Sequence, residues 1–233
     1  MGRFPIFPRS DGVQHMLIPE PKCQLCSLPI ATSYARHGKC YFCNDDPVVD
    51  GADLYRVLAA ALYIPDVEGY QHSPELLSLK DGEGFIEAYA EVLGYVLAQE
   101  EPGIMPAAVV PSPSARLGYP SDGVRKLSKA LAKTIGVEYL DVLSFSRSVQ
   151  PQKKMEGRKA RRENMENSMS ASGLVPNGLM LAVDDITTSG WTLRETARVL
   201  KASGARFTIG LAAGRDARLE HLAMVGVVVE NEG

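Results

Sequence analysis

An excess of either charge is missing from this chain: 25 lysines and arginines against 28 aspartates and glutamates leave a formal net charge of -3 over 233 residues. Bulk electrostatics therefore call for neither nucleic acid nor an anionic membrane. Long apolar runs are missing too. No segment approaches the roughly 18 apolar residues of a membrane span, and Met1 to Ser10 has no apolar signal core, so no membrane contact and a cytoplasmic location are expected. Histidine is scarce. His15, His37, His72 and His221 fall in no ligand or triad spacing, which excludes an evident histidine-based nucleophile or metal centre. Internal repeats and low-complexity tracts are also absent.

The cysteine supply ends at four, and all of it is spent in one place: Cys23-Gln-Leu-Cys26 and Cys40-Tyr-Phe-Cys43 are separated by 13 residues. Each Cys-x-x-Cys turn can aim two thiolates at one point, and two such turns complete a tetrahedral sulfur site for Zn²⁺. A structural zinc with no open coordination position is expected, against redox-active or unmetallated thiols. Its task would be to staple a segment too short to bury much core. Residues 1–50 carry five basic and five acidic side chains, so this zinc-ribbon-like module has no electrostatic footprint for phosphate backbones. Residues 47–51 read as a linker, dividing a tetracysteine module (1–50) from a larger domain (51–233).

Beyond the linker, apolar runs alternate with helical patterns. Strands are expected over 56–64, 105–110, 138–143, 179–183 and 206–213, with 225–229 as a further candidate; helices are expected over 83–99, 123–134 and from Leu193 onward. Such alternation implies βαβ units, a parallel sheet and an α/β fold, with ligands at the carboxyl ends of the strands.

The stretch from Leu179 to Leu193 concentrates the chemistry. Leu179 to Val183 is continuously apolar, as in a strand buried on both faces. Asp184 and Asp185 follow, and ionised carboxylates suit a vicinal diol because they only accept hydrogen bonds. Next come Thr187, Thr188, Ser189, Gly190, Trp191 and Thr192, a hydroxyl-rich turn opening onto a helix N-terminus, where backbone amides and the helix dipole favour a phosphate. A diol pocket beside a phosphate pocket describes a ribose 5-phosphate. The competing reading is an acidic turn and a plainly capped helix.

Val-Asp-Asp-Ile-Thr-Thr-Ser-Gly-Trp-Thr resembles the phosphoribosyl pyrophosphate (PRPP) signature of type I phosphoribosyltransferases. The tetracysteine head, the Leu79-Lys80 phrase, the Pro111-Ser-Pro-Ser-Ala-Arg116 strand end and the Arg161 to Asn164 stretch occur in the order seen in ComF-like members of that family. The resemblance implies the type I phosphoribosyltransferase fold, with Asp184 and Asp185 holding the ribose hydroxyls and Thr187 to Thr192 wrapping the 5′-phosphate. Ser112, Pro113 and Ser114 would line the pyrophosphate loop, with Arg116 close enough to offer charge. In that loop Tyr119-Pro-Ser-Asp-Gly123 stands where the family usually has Arg-Gly-Phe-Asn-Gln. Residues 145–168 would be the flexible lid, with Gln152, Arg161 and Asn164 matching family positions. Between Arg147 and Arg162 this segment has seven basic residues and one acid, Glu156. A solvated charge run and a nucleic-acid contact remain open beside the lid. The implied partners are PRPP with Mg²⁺ and a nucleophilic acceptor such as a nucleobase, and the fold suggests a homodimer. A PRPP-sensing or DNA-uptake accessory protein without turnover is the main alternative, and a nucleic-acid-binding zinc protein the second.

Overall fold

The computed structural model describes residues 4–44, 53–65, 67–150 and 155–228. The expected linker, 47–51, lies outside them, as do Gln152, Lys153 and Lys154 of the basic segment. A short antiparallel hairpin, β1 (Ile6–Pro8) and β2 (Gln14–Met16), is followed by a 3₁₀ turn (Thr32–His37) and the one-turn helix α1 (Tyr41–Asn44). Then come β3 (Leu54–Tyr63), α2 (His72–Asp81), α3 (Ile86–Glu100), β4 (Pro106–Pro111), α4 (Asp122–Ile135) and β5 (Glu138–Tyr139). A second antiparallel pair, β6 (Leu143–Phe145) and β7 (Met169–Ala171), brackets α5 (Gly157–Met165). The last elements are β8 (Leu179–Thr187), α6 (Trp191–Ala202), β9 (Phe207–Asp216) and α7 (Leu219–Met224).

Five of these strands make one parallel sheet in the order β3-β9-β8-β4-β5. The α/β fold is as the alternating pattern implied. β8 is central, and its side chains divide between two cores: Leu181 and Val183 join the helices α2, α3 and α4, while Met180 and Ala182 join α6. This double burial is the reason for the unbroken apolar run. Order also fixes where a ligand can enter. From β4 the chain crosses to β5, and from β8 it crosses the other way to β9, so the gap between β4 and β8 is the topological switch point.

Four expectations need correction. β8 does not stop at Val183: β4 pairs with it only as far as Pro111 opposite Val183, but β9 keeps pairing through Thr187 opposite Arg215. Residues 138–143 do not make one strand, because β5 pairs with β4 whereas β6 turns away to pair with β7. The described part of 145–168 contains α5, a helix that its charge pattern did not announce. Met165 is buried beside α6, and the Arg147 guanidinium donates to the carbonyls of Glu163, Asn164 and Glu166, satisfying the end of α5. Of 225–229, the described residues form a turn and a bridge at Val227, because α7 has already buried Leu222.

The first hairpin is clamped by a buried polar cluster that no local pattern announced. Glu75 on α2 accepts from Arg9 Nη1 (3.1 Å), Tyr89 Oη (3.0 Å) and His72 Nδ1 (3.0 Å). His72 Nε2 accepts from the Met16 amide at 3.1 Å, which assigns the proton to Nδ1. His15 donates through Nε2 to Ala60 O at 3.2 Å. Although His15, His72 and Glu75 present ligand atoms within 4.8 Å of one another, Glu75 is already neutralised by Arg9, which disfavours a cation there.

Burial, helped by the neighbouring His72, pushes the His15 pKa down to about 3. Burial would raise the Glu75 carboxyl, but hydrogen bonds from His72 and Gln71 and the charge of Arg9 outweigh it and hold the group at about 2. An unfolded histidine titrates near ~6.5, so below that pH the unfolded chain takes a proton that folded His15 refuses. Stability should therefore fall on acidification from about pH 6.5 toward pH 3. Denaturant unfolding across this range checks it: His15→Phe should flatten the slope, and an unchanged slope would assign the proton elsewhere.

Candidate functional site

At the switch point β8 delivers both acids past the last β4 pairing, where the sheet opens. Asp184 and Asp185 are half-buried. The Asp185 amide donates to Asp184 Oδ1 at 3.0 Å, and the Ile186 amide to Asp185 Oδ1 at 2.6 Å, so both carboxyls are oriented by the strand itself. Burial, reinforced by the adjacent Asp185 carboxylate, pushes the Asp184 carboxyl well above the usual range. Lys80 opposes this. Its Nζ lies 3.4 Å from Asp185 Oδ2, and the Asp185 charge raises the lysine pKa in return. The end of α2 reaches the acids because α4 crosses it closely: a Cβ at Gly123 would meet Leu79 O at 2.1 Å, so no larger residue fits there. Sequence reasoning gave Lys80 little weight, since a lone lysine is usually solvated; its role comes from α2 ending beside β8.

The hydroxyl turn becomes a cup because Gly190 adopts φ 75, a left-handed conformation that glycine accepts without strain. Gly190 then caps α6. The first helical bond runs from the Arg194 amide to Gly190 O, so the amides of Trp191, Thr192 and Leu193 have no acceptor within the helix, and no side chain caps them. With the helix dipole they present a positive end suited to an anion. Ser189, Gly190 and Thr192 are half-buried around it. Trp191 turns its indole away into the core with Leu54, Val57 and Met180, at 6% exposure. A large residue is thus tolerated after the glycine, since only its amide faces the turn.

Other expected site residues are placed less simply. Thr187 is buried, and its carbonyl accepts from Arg215 Nη1 at 3.0 Å. Thr188 donates its hydroxyl to Asp216 Oδ2 at 2.9 Å. Ser112 is buried; its amide donates to Val183 O, and its hydroxyl accepts from Thr196 at 3.2 Å. Ser114 anchors a tight turn, accepting from Leu117 and Gly118 amides. Arg161 sits on α5 with Nε donating to Met155 O at 3.3 Å, and Asn164 binds the Gln150 backbone through both amide atoms. The basic segment is tied to the cup's own helix: Glu195 on α6 accepts from the Ser168 and Met169 amides. Arg215 and Asp216 were missed. Their signal was available, because they follow a buried apolar strand just as Asp184 and Asp185 do.

On the far side of β3 the four cysteines converge. Cys26 Sγ and Cys40 Sγ are 3.7 Å apart, and all four sulfurs lie within 4.8 Å of one another. Tetrahedral Zn–S bonds of about 2.3 Å imply S···S separations of about 3.8 Å, so the donor set fits zinc. Thiols of Cys23, Cys40 and Cys43 donating toward Cys26, together with the charge of Arg215, hold the Cys26 thiol well below its ordinary range. The cluster is bound to the sheet edge, with the Val57 amide donating to Leu25 O at 2.9 Å and Ser27 Oγ to Val57 O at 2.9 Å. No helix among the described residues is long and apolar enough to cross a membrane.

No model of a known protein family matches the chain, and no curated protein matches it in sequence. Among solved structures it is similar to the glutamine PRPP amidotransferase of B. subtilis, at 23% identity over 54% of this chain and 26% of that one, with a TM-score of 0.35. An adenine phosphoribosyltransferase is similar at 15% identity, covering 62% of this chain and 77% of that one (TM-score 0.37). The adenine phosphoribosyltransferase of Leishmania tarentolae is similar at 14% identity over 70% and 92% (TM-score 0.35). The chain thus spans about a quarter of the length of the amidotransferase.

Because burial and Asp185 disfavour its charge, ionised Asp184 costs folding stability at neutral pH. Asp184→Asn should raise Tm, by roughly 2–4 °C if about 1 kcal/mol is relieved in a domain of this size. Calorimetric melting at pH 7 reads this, and a lowered Tm would mean the ionised pair is structurally stabilising.

Proposed function

We propose that the protein transfers a 5-phosphoribosyl group from PRPP to a nucleophile and releases pyrophosphate. The observation that carries this reading is the placement of the two half-buried acids and the α6 N-terminus, which no side chain caps, at one switch point, joined by five residues of chain. A diol bound to Asp184 and Asp185 would put its 5′-phosphate toward the amides of Trp191 and Thr192. A carboxylate pair suits two hydroxyl donors, and the amides with the helix dipole suit a phosphate monoester.

As the C1′ bond to pyrophosphate lengthens, the sugar gains positive and the leaving group negative charge. Catalysis then consists of holding the reactants and of charge placement. The α6 cup fixes the 5′ end. Asp184 and Asp185 fix the ring and face its developing positive charge. Lys80, half-exposed and 3.4 Å from Asp185, would accept charge from the leaving group. Mg²⁺ carried with PRPP would neutralise the pyrophosphate further. The basic segment anchored to α6 would limit water at the site. Asp185 is the nearest group able to take a proton from the acceptor. The tetracysteine module, 1–50, would hold a structural zinc, and 51–233 the PRPP site. A soluble cytoplasmic setting and a nucleobase acceptor are part of the same proposal.

A PRPP-binding role without turnover is favoured by one feature, the buried Ser112 hydroxyl already engaged by Thr196 instead of facing the β4 loop. Calorimetry with PRPP and Mg²⁺, followed by a pyrophosphate-release screen over nucleobases, separates the readings. Binding should be present in the wild type and weakened at least about 100-fold in Asp184→Asn/Asp185→Asn, in keeping with charged hydrogen bonds worth about 1.5–3 kcal/mol each. Binding with no release for any acceptor supports the sensor. Oligonucleotide affinity that survives the double substitution, with no PRPP binding, would replace both by a nucleic-acid-binding protein.

A further inference from the structure

Arg215 closes the carboxyl end of β9 and is 5% exposed. A buried guanidinium must place its donors, and this one divides them between Cys26, 189 residues away in the chain, and the strand ends beside the cup. Toward the cysteine cluster, Nε donates to Cys26 O at 3.0 Å and Nη2 approaches Cys26 Sγ at 3.9 Å. Toward the cup, Nη1 donates to Thr187 O at 3.0 Å and to Asp216 O at 2.9 Å. Asp216 completes the bridge by accepting the Thr188 hydroxyl at 2.9 Å. Thr187 and Thr188 are the residues that lead into Gly190, whose left-handed turn presents the α6 amides.

We propose that Arg215 is a positioning residue that couples metal binding at Cys23, Cys26, Cys40 and Cys43 to occupancy of the α6 anion cup. The inference rests on the functional reading above. With the four thiolates gathered on Zn²⁺, the cluster is net negative, and Cys26 has one sulfur position and one carbonyl direction. Both faces of the cluster turn then hold the guanidinium, and the guanidinium holds the strand end from which the cup springs. When the cluster opens, the Arg215 donors lose their partners on that side, and leaving buried charged donors unsatisfied favours rearrangement of the whole bridge. Coupling between two binding equilibria is reciprocal, so whatever the metal does for the anion, the anion must do for the metal. The zinc module is by this account part of the binding apparatus as well as a staple.

The test uses the full chain loaded with zinc. Partition of Zn²⁺ between the protein and a chromophoric chelator of comparable affinity is measured with and without saturating PRPP in excess Mg²⁺, for wild type, Arg215→Met and Arg215→Lys. Calorimetry establishes PRPP binding in parallel. In the wild type PRPP should tighten zinc binding about five-fold or more, the lower end of ordinary allosteric couplings. The effect should vanish in Arg215→Met, which keeps the apolar stem, and be partial at most in Arg215→Lys, which lacks the fork to span two sites. Because the readout is a ratio between two ligand states, a loss of overall stability does not imitate it, and any direct chelation of zinc by PRPP appears equally in Arg215→Met. Wild-type protein that binds PRPP with unchanged zinc affinity overturns the coupling and leaves the functional reading standing. Equal coupling in a folded Arg215→Met overturns the role of Arg215. No PRPP binding by the zinc-loaded wild type removes the functional reading and this inference together.

Discussion

A central strand sheathed by helices on both faces can carry polar chemistry only where its sheathing ends. β8 obeys this constraint: Met180 to Val183 are at 0% exposure, and the first carboxyl appears at the residue after β4 stops pairing. The site follows from that arrangement. Continued pairing with β9 keeps Asp184 and Asp185 on a rigid strand, while the departure of β4 opens the crevice they face. The left-handed Gly190 then starts α6 within a few residues, so the two carboxyls and the free amides of α6 cannot drift apart. The cost is visible in Asp184, whose charge burial disfavours, and that kind of strain is common at binding sites.

The sheet has another debt to its N-terminal segment. β3 is an edge strand, and an edge left open invites unwanted pairing. Leu25 and Ser27 from the first cysteine turn take up the backbone of Val57, and Ile18, Leu28 and Ile30 share one core with Leu62, Ala212 and Leu222. Arg215 extends the connection to the far end of β9. The same cysteine turn therefore covers the edge, completes a core and touches the strand end that supports the hydroxyl turn.

What the sequence disclosed and what it hid follow from the range of the interactions. The buried strands were legible because continuous apolar runs such as Leu179 to Val183 record burial on two faces, and the anion cup because its parts are neighbours in sequence. Extension of β8 through Thr187 was hidden, since pairing with Ala212 and Gly214 depends on a strand formed later. In the basic segment, one buried methionine and an arginine spent on carbonyls support a helix that composition did not announce. The Arg9, His72 and Glu75 cluster and the Arg215 to Cys26 bridge join residues tens to hundreds of positions apart, and no spacing rule reaches that far. Thr188 and Ser112, expected at the PRPP site by resemblance, and Asn164, matched to a family position in the lid, also have partners inside the protein, which local pattern could not reveal.

The central claim is that one strand end and one helix start grip the two ends of a single phosphorylated pentose. A crystal structure with ribose 5-phosphate tests it most directly. The phosphate should lie against the amides of Trp191 and Thr192 and the ring hydroxyls on Asp184 and Asp185, with the indole still in the core. A sugar phosphate bound elsewhere, such as along the basic segment, with the α6 end unoccupied, would contradict it.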